Sequence, residues 1–111
     1  MHDIKLTEEH DNKRVTLAEG QLLIIELPSN RTTGFTWDLA ESDETILQQQ
    51  GDPQYKFDFE GEEPTVGAGG AQVFTFVAKA PGKTRLKLIY HRPWEKGVAS
   101  AKTFSVRIVV E

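Results

Sequence analysis

The chain of 111 residues contains no cysteine. This absence excludes a structural disulfide, a cysteine nucleophile and a thiolate metal site. The sequence also has no run of about 20 apolar residues, the length that a helix needs to cross a membrane. Positive charge does not dominate either, because the formal net charge is −4 at pH 7. We therefore expect neither a membrane span nor a nucleic-acid partner, since phosphate binding requires a basic face.

The amino terminus and the composition bear on the compartment and the size of the protein. Residues 1–7 carry charges and lack the apolar region of a signal peptide. We expect a cytoplasmic protein if this is the full-length chain, and a periplasmic or secreted one if a signal peptide has been removed. Hydrophobic residues at 38% and charged residues at 27% are typical of a folded, soluble chain. The length predicts a single domain, residues 1–111, which we expect to be a monomer.

Apolar and polar residues alternate along much of the chain, which is typical of half-buried strands. The clearest inward-facing sets are Phe104, Val106, Ile108 and Val110; Leu86, Leu88 and Tyr90; Leu23, Ile25 and Leu27; and Phe74, Phe76 and Ala78. Weaker strands are predicted over residues 4–7, 14–18, 35–40, 46–49 and 54–59, with a short helix over 43–50 as an alternative. Turn residues separate these segments, so the pattern predicts an all-β sandwich or barrel with Trp37 in its core.

Three stretches between the strands are longer than the others: residues 28–34, 60–70 and 91–100. We call them the first, second and third loops. In an antiparallel sandwich, loops separated by an even number of strands emerge at the same end. The strand count places all three together, where they would form one surface.

The first loop combines a turn sequence with two adjacent threonines. Asn30 can bond the backbone two residues on, and Gly34 permits a positive φ, so the pattern favours a sharply ordered turn. Thr32 and Thr33 are short, stiff and polar, which suits hydrogen bonding to a partner at low entropic cost. The alternative is a connecting turn with two solvated threonines.

The second loop ends in a glycine-rich segment from Gly67 to Gly70. Glycines at this density let another backbone approach closely, as in phosphate-binding loops. However, a strand rather than a helix is predicted to follow, and no Lys-Ser/Thr pair is present. An extended backbone that pairs with another protein fits better. A flexible loop is the alternative.

The third loop begins with Arg92, Pro93 and Trp94. A tryptophan just beyond a strand and after a proline is hard to place in the core, and Trp and Arg are enriched at interface hot spots. Alternatively, Trp94 caps the end of the sandwich and Arg92 meets a carboxylate.

The remaining polar residues show no catalytic or metal-binding pattern. The spacing of the three histidines, His2, His10 and His91, matches neither a metal site nor a catalytic triad. The acidic segment Asp58, Glu60, Glu62 and Glu63 lacks the pattern of a calcium loop. The serines have no nucleophile-elbow context. We expect no enzyme activity, no cofactor and no metal.

Taken in order, the three loops resemble the signature of the chagasin family, inhibitors of papain-like cysteine (thiol) proteases. That family carries an Asn-Pro-Thr-Thr-Gly-Phe/Tyr loop, a Gly-x-Gly-Gly loop and an Arg-Pro-Trp loop, which appear here from Asn30 to Phe35, from Gly67 to Gly70 and from Arg92 to Trp94. The resemblance covers nearly the whole chain. It implies an immunoglobulin-like antiparallel β-sandwich that acts as a reversible, competitive inhibitor, with a papain-like protease as its partner.

The resemblance also implies roles for the loop residues. The first loop would enter the active-site cleft with Thr32 near the catalytic cysteine, the second would pair along the non-primed side, and Trp94 would pack on the primed side. The implied protease-binding residues are Asn30, Arg31, Thr32, Thr33, Gly34, Phe35, Gly67, Ala68, Gly69, Gly70, Arg92, Pro93 and Trp94.

Arg31 departs from the family pattern, since it stands where the family has proline. Proline would restrict the unfolded chain, an effect worth about 0.4–1 kcal/mol where the backbone suits it. We expect the arginine to tune affinity or target choice rather than to abolish inhibition. The rival interpretation of the whole chain is a β-sandwich module for carbohydrate binding or adhesion, which leaves the glycine loop and the paired threonines without a role.

Overall fold

The computed structural model describes residues 3–29, 34–57, 70–95, 97 and 99–111; at residues 56 and 57 it describes the backbone only. These residues form nine strands and one short 3-10 helix, Glu8–His10. The strands are β1 (Ile4–Leu6), β2 (Arg14–Leu17), β3 (Leu22–Ser29), β4 (Thr36–Glu41), β5 (Leu47–Gln49), β6 (Gln54–Phe57), β7 (Gly70–Ala78), β8 (Gly82–His91) and β9 (Lys102–Val110). Each strand predicted from the alternation of the sequence is present, although residues 58 and 59 of the predicted strand 54–59 lie outside the described residues.

The alternative of a short helix over residues 43–50 is wrong. Leu47 begins β5 there and pairs with Ala78 of β7. Its side chain is fully buried in the core. Burying a leucine contributes about 1.5–3 kcal/mol, and the strand position of Leu47 achieves that burial.

The strands form two sheets that pack face to face. The first sheet has the order β1-β3-β7-β5, and β6 also pairs with β7. The second sheet has the order β2-β9-β8-β4. Most pairs are antiparallel, but β1 runs parallel to β3 and β2 runs parallel to β9. The amino-terminal segment therefore covers one edge of each sheet, crossing between them through the 3-10 helix.

The core lies between the sheets and is built from the alternate residues that the sequence predicts to face inward. Phe74 and Phe76 of the first sheet and Phe104 of the second are its largest fully buried side chains. Trp37 is 3% exposed, which confirms that it is the core tryptophan. Because the core extends over both sheets, it holds the ends of the described strands in fixed relative positions.

Candidate functional site

The strand registers bring the flanks of all three loops to one end of the sandwich. In the first sheet, Gly70 pairs with Ser29, at the start of the first loop, and with Phe57, which precedes the second. In the second sheet, Thr36 at the return of the first loop pairs with His91 at the start of the third. The predicted clustering is therefore confirmed for the flanks, and we call this region the loop end.

The first loop differs from the other two in what it connects. It leaves β3 in the first sheet and returns at β4 in the second, so it crosses between the sheets. The second loop joins β6 to β7 within the first sheet, and the third joins β8 to β9 within the second. The flanks of the first loop therefore lie on different sheets, whereas those of the second and the third loops each lie on one sheet.

The predicted site residues divide between the described part of the chain and the rest. Those outside the described residues are Asn30, Arg31, Thr32, Thr33, Gly67, Ala68 and Gly69. Those that the structure describes are Gly34, Phe35, Gly70, Arg92, Pro93 and Trp94.

Trp94 is 67% exposed at the loop end, so it is not a buried structural cap. One edge of its indole nevertheless lies on Gly34, whose φ is +80°. A Cβ atom at position 34 would overlap Trp94 Cη2 and lie 3.0 Å from Cζ2. The glycine is therefore required twice, for its backbone conformation and for the close approach of Trp94. This contact joins the first and third loops directly.

A stack of side chains connects the third loop to the core. The Arg92 guanidinium lies 4.5 Å from the centre of the Phe35 ring. Phe35 stacks on Tyr90 at a centroid distance of 5.2 Å, and Tyr90 contacts Trp37 at 5.0 Å. Cation–π and aromatic contacts of this kind contribute about 0.5–1.5 kcal/mol each.

Arg92 also meets a carboxylate, as the alternative interpretation of the third loop predicts. Its Nη1 donates to Glu95 Oε1 over 3.1 Å. Arg92 is therefore held between Glu95 and Phe35. This arrangement fixes the chain immediately before Trp94.

Gln72 lies buried beneath the first loop, with 2% of its surface exposed. Its Oε1 accepts hydrogen bonds from Ser29 Oγ at 3.2 Å, Thr36 Oγ1 at 3.2 Å and the Trp37 backbone N–H at 2.8 Å. Its Nε2 donates to the Trp37 carbonyl at 3.1 Å. A further bond runs from Trp37 Nε1 to the Pro28 carbonyl at 2.9 Å. Both flanks of the first loop are thus tied together.

The sequence prediction missed Gln72, although a signal was present. Gln72 occupies the inward position two residues before Phe74, where the alternation calls for an apolar side chain. A polar residue at such a position must find partners inside the protein. Among the described residues, every buried side-chain nitrogen or oxygen has a hydrogen-bond partner.

Tyr55 is a second residue that the sequence prediction missed. It lies on β6 and is 42% exposed, and its hydroxyl is 3.4 Å from Thr36 Oγ1. In the described part of the chain, the large hydrophobic side chains that are exposed are Tyr55 and Trp94. Both belong to the loop end, Tyr55 on β6 of the first sheet and Trp94 in the third loop, which follows β8 of the second.

The ionisable groups of the described residues do not form a metal centre. No group of three or more His, Cys, Asp or Glu side chains among them is placed to hold a metal ion. At the loop end, His91 Nε2 lies 2.6 Å from Asp38 Oδ2. At the opposite end, the hydroxyl and the backbone N–H of Thr45 bond to Asp43 and lower the pKa of that carboxyl. In the part of the chain that the structure describes, no helix has the length and apolar character needed to cross a membrane.

A two-sheet sandwich that brings the flanks of three loops and an exposed tryptophan to one end has features typical of a protein-binding scaffold. The chain belongs to the chagasin family: the family model described as "Chagasin family peptidase inhibitor I42" matches residues 16–108. Chagasin from Trypanosoma cruzi is 34% identical over 103 residues, which cover 92% of this chain and 93% of that protein. The chain is therefore an inhibitor of papain-like cysteine proteases and not an enzyme.

Two solved structures share the fold. The cysteine protease inhibitor EhICP2 from Entamoeba histolytica superposes with a TM-score of 0.82 at 24% identity, covering 97% of this chain and 95% of that one. PbICP-C, solved in complex with falcipain-2, gives a TM-score of 0.67 at 16% identity, covering 100% of this chain and 94% of that one. These similarities confirm the all-β, immunoglobulin-like sandwich.

Proposed function

We propose that the loop end is the inhibitory surface and that it fills the active-site cleft of a papain-like protease reversibly and competitively. The observation that carries this proposal is the strand register, which brings the flanks of all three motif loops to one end. The complex of PbICP-C with falcipain-2 supports a protease of this class as the partner.

The first loop would enter the centre of the cleft, with Thr32 near the catalytic cysteine. Hydrolysis requires a carbonyl about 3–3.5 Å from the nucleophile and aligned with it. A loop fixed at both ends can occupy the cleft without presenting a carbonyl in that position. Inhibition then follows from occupancy, and the inhibitor stays intact.

The second loop would pair through its backbone along the non-primed side. Gly70 supports this role because its strand is paired on both edges, with Ser29 and with Phe57. The glycine-rich segment thus ends at a residue, Gly70, that is anchored in the sheet. Main-chain hydrogen bonds to an extended partner supply affinity with little dependence on side chains.

Trp94 would pack on the primed side of the cleft. Its exposure leaves most of the indole free to become buried in a complex. The contact with Gly34 fixes the position of the ring relative to the first loop. A rigid aromatic anchor loses little conformational entropy on binding.

The test is steady-state inhibition of papain. We expect the apparent inhibition constant to rise linearly with substrate concentration, full enzyme activity to return on dilution, and the recovered inhibitor to keep its full mass. Thr32→Asp should weaken inhibition strongly, because it brings a charge into the cleft. The matched control is Thr16→Asp on β2, whose side chain is exposed on the outer face of the second sheet. Stoichiometric cleavage within residues 30–34, or equal inhibition by both variants, would contradict the proposal.

A further inference from the structure

Gln72 stands out among the inward-facing residues because it is polar and almost fully buried. Its neighbours on the same face of β7, Phe74 and Phe76, are apolar and fill the core. A leucine or methionine would occupy similar space without requiring hydrogen-bond partners. Core packing alone therefore does not explain why the residue at position 72 carries an amide.

The partners of Gln72 are the residues where the first loop begins and ends. Ser29 is the last residue of β3, and Thr36 and Trp37 are the first two of β4. The single Oε1 atom accepts from Ser29 Oγ, Thr36 Oγ1 and the Trp37 N–H. This one oxygen atom thus fixes the distance between the two flanks of the first loop, the end of β3 and the start of β4.

Gln72 also connects the flanks of the first loop to the second loop. It lies two residues after Gly70, the point at which the second loop joins β7. Its own strand belongs to the first sheet, whereas Thr36 and Trp37 belong to the second. Its hydrogen bonds therefore couple the two sheets directly beneath the loop end.

We propose that Gln72 is a positioning residue for inhibition, setting the spacing and orientation of the first loop relative to the second. This inference rests on the proposed function of the loop end. Hydrogen bonds are directional, whereas apolar packing is not, so the amide defines a geometry that a hydrophobic side chain of equal volume leaves free. A loop that is already held in its bound geometry loses less conformational entropy when it binds, so its affinity for the protease is higher.

The experiment compares Gln72→Leu with Val110→Ala, a core variant at the opposite end of the sandwich. Val110 is 3% exposed and pairs with Gly82, where β8 begins. For each variant we measure the melting temperature, the inhibition constant for papain corrected by titration of the active inhibitor, and hydrogen exchange of the peptide covering residues 30–35. A purely structural role lowers the active fraction but leaves the inhibition constant of the folded molecules unchanged.

We expect Gln72→Leu to weaken inhibition by about tenfold or more, which corresponds to about 1.4 kcal/mol, and to accelerate exchange in the peptide. Val110→Ala should melt earlier with an inhibition constant within about twofold of the wild type, since it does not touch the loop flanks. Gln72→Glu should recover most of the affinity, because its carboxyl keeps the acceptor oxygen. The affinity of Gln72→Glu should rise further as the pH is lowered from 7.5 to 5. Burial raises the pKa of the introduced carboxyl, and its protonated form can again donate to the Trp37 carbonyl.

An unchanged inhibition constant in folded Gln72→Leu would overturn the inference. If that variant does not fold, Ser29→Ala is the alternative test, because it removes one of the three hydrogen bonds to Gln72 Oε1. Inhibition about threefold weaker than that of the wild type supports positioning, and an unchanged inhibition constant refutes it. Failure of the wild type to inhibit papain would instead refute the proposed function, and with it the role assigned to Gln72. The exchange measurement does not depend on papain. If the peptide covering residues 30–35 exchanges no faster in Gln72→Leu than in the wild type, that result also counts against positioning.

Discussion

At the scale of single residues, the two tryptophans occupy opposite environments. Trp37 is 3% exposed, donates to the Pro28 carbonyl and contacts Tyr90 in the core. Trp94 is 67% exposed and touches Gly34 along one edge. The same side chain therefore stabilises the fold in one place and is available to a partner in the other.

Trp94→Ala should weaken protease binding by about 2–4 kcal/mol, roughly 30- to 1,000-fold in affinity, because the ring becomes buried in the complex. The melting temperature should change little, since exposed substitutions usually alter stability by less than about 0.5 kcal/mol. Inhibition constants and thermal melts of the purified variant test this.

The matched control for Trp94→Ala is Trp37→Ala. Truncating a buried aromatic residue removes about 3–5 kcal/mol of stability, and here it also removes the indole donor to Pro28. If Trp94→Ala melts early and still inhibits normally, Trp94 is a structural residue and the assignment of the third loop is wrong.

Arg31→Pro tests the departure from the family pattern. If the arginine mainly leaves the loop less restricted, proline should tighten inhibition by less than about tenfold, in line with the ~1 kcal/mol scale of proline effects. A large loss of affinity in the same assay would show that the arginine makes its own contact with the protease.

Residue environments were predictable where the alternation of the sequence determines them and not where partners come from distant strands. Trp37 lies in a strand pattern, so its burial follows from its position. The role of Gln72 depends on Ser29 and Thr36, which are 43 and 36 residues away along the chain. Only the pairing of β7 with β3, and the packing of the sheets, brings these residues together.

At the scale of strands, the outer face of the second sheet carries a row of arginines. Arg107 of β9 lies beside Arg14 of β2 on one side and Arg85 of β8 on the other. All three are exposed, and none has an ion-pair partner among the described residues. Like charges directly opposite each other on neighbouring strands destabilise a sheet.

Arg107→Glu should therefore stabilise the protein, by up to about 1 kcal/mol, because it turns two repulsive pairs into attractive ones. The gain should shrink in 1 M salt, where the Debye length falls to about 3 Å. Thermal melts at low and high salt measure both effects, with Arg107→Gln as the intermediate control. A lower melting temperature at low salt would show that the arginines make favourable contacts instead.

The turn before β5 gives a pH-dependent contribution to stability. The Thr45 hydroxyl bonds to Asp43 Oδ1 at 2.6 Å and, together with the Thr45 backbone N–H, lowers the pKa of Asp43 below its ordinary value of 3.8. A carboxyl whose pKa is lowered by folding stabilises the native state above its unfolded pKa and loses that contribution as the pH falls through the folded value. Thr45→Val should melt earlier than the wild type at pH 7, and the difference should vanish in strong acid.

The strands themselves were predictable, whereas their partners were not. Period-two alternation marks strands such as β8 and β9 because one face of each is buried. The parallel pairing of β1 and β2 depends on how the amino-terminal segment crosses between the sheets, which the alternation does not encode. Residues 43–50 are too few for the alternation to distinguish a strand from a short helix. The burial of Leu47 in the core favours the strand.

At the scale of the whole molecule, the sandwich is held together without any disulfide, because the chain contains no cysteine. We expect the melting temperature and the inhibition constant to be the same with and without a reducing agent. Papain assays, which need a reduced enzyme, are then a fair measure of the inhibitor. A shift of the melting curve on adding dithiothreitol would contradict this expectation.

The passage of the first loop between the sheets has a thermodynamic consequence. A protease bound to all three loops, as we propose, would bridge both sheets, so it would bind only the assembled sandwich and oppose its unfolding. By linkage, an enzyme concentration a thousandfold above the dissociation constant adds about 4.1 kcal/mol to the stability of the inhibitor. Digestion by other proteases proceeds through the opened chain, and the population of that state falls by the same factor of about a thousand. The target enzyme thus prolongs the lifetime of the molecule that inhibits it.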